Sequence, residues 1–133
     1  MRRTIVAAAA ALFLAATANA AEINAPQGFK KVSGLVPLPD FIPGLGTLYV
    51  KPATLPVGPF LAYDRNGTLV SSIYMVPLAD LDAHKNFQSL PVGATTVTAT
   101  ELQYNAGHPG VEAPHYHIVL WHVDRDAAKL AAK

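Results

Sequence analysis

Apolar and polar residues along this chain form a pattern typical of β-strands joined by turns. Short runs rich in β-branched and aromatic residues are separated by clusters of proline, glycine and asparagine, and this punctuation favours strands over long helices. We therefore expect an antiparallel sheet to dominate the fold. The predicted strands are TLYVKP, GPFLAYD, TLVSSIYMVPL, TTVTATELQY and HYHIVLWHV.

The dipeptide Asn66-Gly67 predicts a β-hairpin between the second and third of these strands. Both residue types tolerate the positive φ angles that a tight hairpin turn requires. In the returning strand, residues 68–78, apolar side chains occupy both faces. This pattern predicts a central position in the sheet.

Two short segments have a helical pattern instead. Residues 79–90 place four side chains on one stripe, with Asp80 as the expected cap. Residues 124–133 predict a second short helix, capped by Asp124. The expected fold class is therefore α+β, mainly antiparallel β-sheet with one or two short helices. The stripe of the first segment consists of Leu81, His84, Lys85 and Gln88.

Residues 1–20 have the pattern of a Sec-type secretory signal peptide. Arg2 and Arg3 precede an apolar run that is too short to cross a membrane, and Ala18-Asn19-Ala20 forms a cleavage box. We expect cleavage near Ala20 and a location in the periplasm or outside the cell. The remainder is expected to comprise an N-terminal extension, residues 21–33, and one small β-rich domain, residues 34–133.

The composition excludes several classes of function. The chain has 10 Lys and Arg residues against 9 Asp and Glu residues, so it offers no basic surface for nucleic acid or for an anionic membrane after signal cleavage. It has no cysteine, which excludes a disulfide framework, a lipoprotein anchor and a catalytic thiol. The fold must rest on its apolar core, aided by self-association or a metal.

Histidines are concentrated in one segment, GHPGVEAPHYHIVLWHV, which holds four of the five in the chain. Side chains alternate along a strand, so His115 and His117 face the same way, about 7 Å apart. Two imidazoles at this spacing can close around one ion. His122 faces the other way and is expected to be a strand-end residue.

The loop before this strand can add a third ligand. Residues 109–114 can fold back and bring His108, or the carboxylate of Glu112, to the pair. Three imidazoles suit zinc, copper, nickel or iron, and an open coordination position would permit hydrolytic or oxygen chemistry. The sequence predicts His108, His115 and His117 as metal ligands and leaves the roles of Glu112 and His122 open.

A structural interpretation of the same histidines stands beside this one. His115 and His117 can line a sheet face and bind Glu112, Glu101 or Tyr104. The chain has neither a Gly-x-Ser-x-Gly elbow nor a phosphate-binding loop, so catalysis is expected only through the histidine cluster. The alternatives to metal binding are a non-catalytic, self-associating module of the cell envelope and a metal-dependent enzyme, whose small ligand the sequence does not identify.

Three segments also suggest a family. PLPDFIPGLGTLYVKP, LPVGPFLAYDRNGTLVSSIYMVP and GHPGVEAPHYHIVLWHV follow one another in this order. Over about residues 34 to 124, this arrangement resembles the TTHB210-like family of small exported bacterial proteins, a domain of unknown function. The resemblance implies a β-rich fold that self-associates, and no established activity. The residues that match the closing motif are His108, Pro114, His115 and Tyr116.

Three positions depart from the family pattern. His117 and Val119 stand where the family has aspartate and histidine on the strand, and Leu48 stands where an earlier segment has a histidine. If those positions form a shared polar or metal site in relatives, two residues of that site are absent from this chain and one histidine stands at a different position. The resemblance therefore does not carry a ligand set over to this chain.

Overall fold

One antiparallel sheet organises residues 21–131, the part of the chain that the computed structural model describes. The predicted signal peptide, residues 1–20, lies outside the described residues. The six strands stand in the order β1-β2-β3-β4-β6-β5. They are β1 (Lys30–Lys31), β2 (Thr47–Val50), β3 (Phe60–Tyr63), β4 (Leu69–Pro77), β5 (Ala99–Asn105) and β6 (His115–Trp121).

Helical structure in the described residues is limited to short segments. They are α1 (Leu78–Asp82), α2 (Arg125–Ala131) and two 3-10 turns, Val32–Gly34 and Pro52–Thr54. The predicted α+β class, mainly antiparallel sheet with short helices, is confirmed. None of the described helices is both long and apolar enough to cross a membrane.

The predicted hairpin joins β3 to β4. A carboxylate oxygen of Asp64 accepts the backbone N–H groups of Asn66 and Thr68, both at 2.9 Å. Gly67 takes a φ of +77°, which glycine adopts without the steric cost that a Cβ imposes. The local sequence alone therefore accounts for this turn.

Strand β4 is central, as its two apolar faces predicted. It lies between β3 and β6, and every residue from 70 to 76 is buried. One face adjoins the main core, and the segment after α1 contacts the other. There the Tyr74 hydroxyl donates to the carbonyl oxygen of Pro91, and the N–H of Gly93 donates to Ser72 Oγ at 2.8 Å.

The main core lies between the sheet and two other parts of the chain. These are residues 32–45, called the N-terminal segment below, and α2. Trp121 is buried within this core. Apolar side chains of the loop between β1 and β2 pack against this cluster. The fully or nearly buried members are Val32, Val50, Phe60, Ala62, Val70, Ile73, Met75, Val119, Trp121 and Ala128.

The N-terminal boundary of the sheet was not visible in the sequence pattern. Lys30 and Lys31 pair with Val50 and Tyr49 of β2, and Val32 is buried in the core. The sheet therefore begins inside the predicted extension, because two backbone ladder positions need no apolar pattern of their own.

The helix predicted over residues 79–90 is wrong in extent, since α1 ends at Asp82. His84 and Ser89 have φ angles of +53° and +54°, a left-handed conformation that does not continue a helix. The chain instead bends so that Pro91 and Gly93 reach the second face of β4. Tertiary contacts override the local helical pattern here.

The two predicted helix caps also differ in outcome. A carboxylate oxygen of Asp124 accepts the N–H groups of Asp126 and Ala127 at 3.0 and 3.2 Å, as predicted for α2. The prediction for Asp80 is wrong: it lies in the first turn of α1, whose N-cap residue Pro77 makes no side-chain capping bond.

Candidate metal centre

Two of the three predicted ligands lie on the core face of β6. In the register with β4, His115 is opposite Pro77 and His117 is opposite Met75. His115 is fully buried and His117 is half-buried. Because β6 is paired on both sides, by β4 and β5, the two imidazoles project from a backbone that the sheet holds in place.

The third predicted ligand reaches the pair through a folded-back loop. His108 and Val111 exchange two backbone hydrogen bonds of 3.0 Å each. Gly107, just before them, has a φ of +132°, and a Cβ at this position would overlap the carbonyl oxygen of Glu112. A glycine is therefore required where the loop reverses toward the strand.

The three side chains converge through their Nε2 atoms. The Nε2–Nε2 distances are 2.9 Å between His115 and His117, 3.2 Å between His108 and His115, and 3.4 Å between His108 and His117. A tetrahedral zinc ion with Zn–N bonds of about 2.0–2.1 Å separates its ligand nitrogens by about 3.3 Å. The triangle has the dimensions of three ligands on one ion.

The second ring nitrogens orient two of these imidazoles. Nδ1 of His115 lies 2.7 Å from the carbonyl oxygen of Ala113, and Nδ1 of His108 lies 3.0 Å from that of Pro109. A carbonyl oxygen only accepts, so Nδ1 is the donor in each ring and Nε2 points into the cluster. Metal-binding histidines typically have such a partner.

Electrostatics keep the third imidazole in its neutral form. Burial lowers the pKa of His117 from 6.5 to about 4, with further lowering by the neighbouring His115 and His108. At neutral pH the ring is therefore unprotonated, which is the state that binds a metal.

The structural interpretation of the cluster does not match the observed hydrogen bonds. Glu101 forms an ion pair with Arg125 and accepts the side-chain amide of Gln103 at 2.7 Å. Tyr104 packs edge-on against Tyr116. These bonds and contacts engage Glu101 and Tyr104 away from the histidines.

Neither residue left open by the sequence belongs to the cluster. Glu112 is exposed and lies outside the group of convergent side chains. His122 follows β6, where its Nε2 lies 2.8 Å from Ser72 Oγ and its Nδ1 lies 2.7 Å from the Thr96 carbonyl oxygen. In the part of the chain that the structure describes, the candidate site consists of His108, His115 and His117.

An apolar cavity adjoins the cluster, and sequence reasoning missed it. Its volume is about 340 Å³, and His108 and His117 form part of its wall. Leu48 also lines it. The proline-rich apolar segment between β1 and β2 was the available signal, but its pattern does not distinguish a filled core from a cavity.

The loop geometry supports a prediction for Gly107→Ala. The added methyl group would overlap the Glu112 carbonyl, and alanine disfavours the positive φ. We expect His108 to be displaced, so that a zinc ion held by the three Nε2 atoms would bind at least about tenfold more weakly, the lower limit for disturbed ligand orientation. Calorimetric titration with zinc measures this effect.

Gly34→Ala is the matched control for that substitution, because a Cβ at Gly34 meets no atom within 4 Å. It should leave zinc affinity unchanged. Equal affinities of both variants and the unmodified protein would show that the loop does not position His108.

Comparison with known proteins yields a close structural match. The hypothetical protein TTHB210 from Thermus thermophilus is 46% identical in sequence to this chain. Its crystal structure matches the structure of this chain with a TM-score of 0.65. The match covers 71% of this chain and 93% of that chain. No protein-family model and no curated protein matches the chain.

Proposed function

The chain belongs to the TTHB210-like family, and we propose that this member binds a divalent transition metal through His108, His115 and His117. The observation that carries the proposal is the convergence of three Nε2 atoms, at mutual distances of 2.9, 3.2 and 3.4 Å. His108 and His115 donate through Nδ1 to backbone carbonyls, which turns their Nε2 atoms toward each other. Three imidazole nitrogens at this spacing match the ligand triangle of one bound ion.

The donor set narrows the choice of ion. Imidazole nitrogens suit zinc, copper, nickel and iron, whereas magnesium and calcium prefer oxygen. The nitrogen spacing is close to that of tetrahedral zinc, and three protein ligands leave a fourth position open. The group contains no carboxylate among the described residues, so a general base for hydrolysis is not part of it. We therefore propose metal binding without assigning a reaction.

Elemental analysis tests the proposal. The protein, purified without an affinity tag or chelator, should contain close to one transition-metal ion per chain. The His122→Ala variant is a matched control, because His122 binds Ser72 and Thr96 outside the cluster. Absence of metal from both proteins, also after incubation with zinc, copper, nickel or iron salts, would contradict the proposal.

We also propose that the protein is exported and acts in the periplasm or outside the cell. The support is the basic start, the apolar run and the Ala18-Asn19-Ala20 box. Expression of the full chain in a bacterial host should give a periplasmic product whose N-terminal residue is close to Ala21. A product that stays in the cytoplasm and begins at Met1 would contradict export.

A second proposed function is self-association through β5, which the structure leaves at the edge of the sheet. Leu102 and Tyr104 on this strand are 67% and 58% exposed. An edge of seven residues with exposed apolar side chains is a template for pairing with a second copy. The opposite edge, β1, has only two residues and is less suited to such pairing.

Sedimentation of Leu102→Lys tests this second function. A charge at the edge opposes strand pairing, so we expect a concentration-dependent dimer in the unmodified protein and a monomer in the variant, with or without chelator. Leu81→Lys is the control, since Leu81 is also exposed but lies on α1. A monomeric unmodified protein would rule out this function.

A further inference from the structure

We propose that the cavity beside the histidine cluster binds a medium-chain carboxylate, whose head coordinates the metal and whose hydrocarbon tail fills the cavity. This inference rests on the proposed metal site. It identifies the class of ligand for the open coordination position.

The lining of the cavity supports an apolar ligand. Its walls are formed mainly by aliphatic side chains of residues 32–45, of β2 and of β4, together with Phe60 of β3. The cluster residues His108 and His117 stand in the same wall. A molecule in the cavity would therefore reach the metal directly.

The lack of charged side chains in the cavity lining favours a ligand with one negative charge, located on the group that binds the metal. The described lining residues include no Lys, Arg, Asp or Glu. Three neutral imidazoles leave both positive charges of a divalent ion uncompensated, and attraction between opposite charges is stronger in apolar surroundings than in water. An anionic head group gains this attraction, whereas any second charge on the ligand would be buried without a partner.

The volume sets the length of the tail. At about 30 Å³ for each water-sized group, about 340 Å³ holds about eleven such groups. Octanoate, with eight carbons and two oxygens, fills this space. Leu35 and Leu55 line the cavity and are 45% and 47% exposed, so they place an apolar rim where the tail or its end meets solvent.

Calorimetric titration with sodium octanoate tests the inference, using protein loaded with one zinc ion per chain and protein stripped of metal. We expect binding to the zinc-loaded form to be at least tenfold tighter. Butyrate should bind more weakly than octanoate, by about fourfold for each methylene that is no longer buried.

Rim variants provide the matched controls. Leu35→Gln combined with Leu55→Gln should weaken octanoate binding at least fivefold and leave zinc affinity unchanged. Leu81→Gln, which changes a leucine of similar exposure (44%) on α1, outside the cavity lining, should change neither affinity.

The outcomes separate the two proposals. Zinc binding with no octanoate binding, or with equal binding to the zinc-loaded and stripped forms, overturns the inference and leaves the metal site standing. Failure of zinc to bind in the loading step overturns the metal site itself, and the carboxylate inference with it.

Discussion

The double variant His115→Ala, His117→Ala is expected to bind zinc more than about 100-fold more weakly than the unmodified protein. Loss of an outer-shell partner alone typically costs about 10–100-fold in metal affinity, and this variant loses two of three direct ligands. The remaining His108 lies on a loop and holds no ion by itself. Competition with a chromogenic zinc chelator measures the affinities.

The same experiment has a stability readout. Zinc that binds only the folded state should stabilise the unmodified protein by about 2.7 kcal/mol at 100 times its dissociation constant. For a domain of this size that shift raises the melting temperature by about 10 °C or more. The double variant should show no such rise.

Because His115 is fully buried, its replacement also disturbs the core. A second variant, which leaves the core intact, is therefore needed. His108→Asn changes a partly exposed loop residue and leaves the sheet intact, so it should fold and still lose most of the zinc affinity. His122→Ala should retain it. Zinc affinity equal to that of the unmodified protein in a folded His108→Asn variant would contradict the three-histidine site.

The second large effect concerns the core beneath the site. Trp121→Ala is expected to reduce the free energy of unfolding by about 3–5 kcal/mol, because it removes a large buried side chain and leaves a void. The melting temperature should fall by more than about 10 °C. Far-UV circular dichroism is the appropriate probe, since Trp121 is the only tryptophan.

Trp121→Phe separates packing from polarity. The indole Nε1 is buried without a hydrogen-bond partner, so phenylalanine removes an unsatisfied donor while it retains most of the apolar volume. Its loss of stability should be clearly smaller than that of the alanine variant, with zinc affinity unchanged. Equal stabilities of Trp121→Ala and the unmodified protein would show that this residue does not anchor the core.

Local sequence determined five of the six strands, the hairpin and the faces of β6. The alternation of side chains placed His115 and His117 on one face because a strand has a period of two. The hairpin follows from its own residues, because Gly67 supplies the positive φ and the Asp64 carboxylate accepts the N–H groups of Asn66 and Thr68. Asp124 capped α2 because its carboxylate binds N–H groups two and three residues away.

Only the tertiary structure decided the features that depend on distant parts of the chain. The predicted helix stops at Asp82, and contacts of Pro91 and Gly93 with β4 replace the rest of it, a gain that no local window contains. The convergence of His108 with β6 depends on a loop reversal, and the cavity depends on how the N-terminal segment covers the sheet. Sequence periodicity determines which residues share a face, whereas the positions of loops are set by packing between elements far apart in the chain.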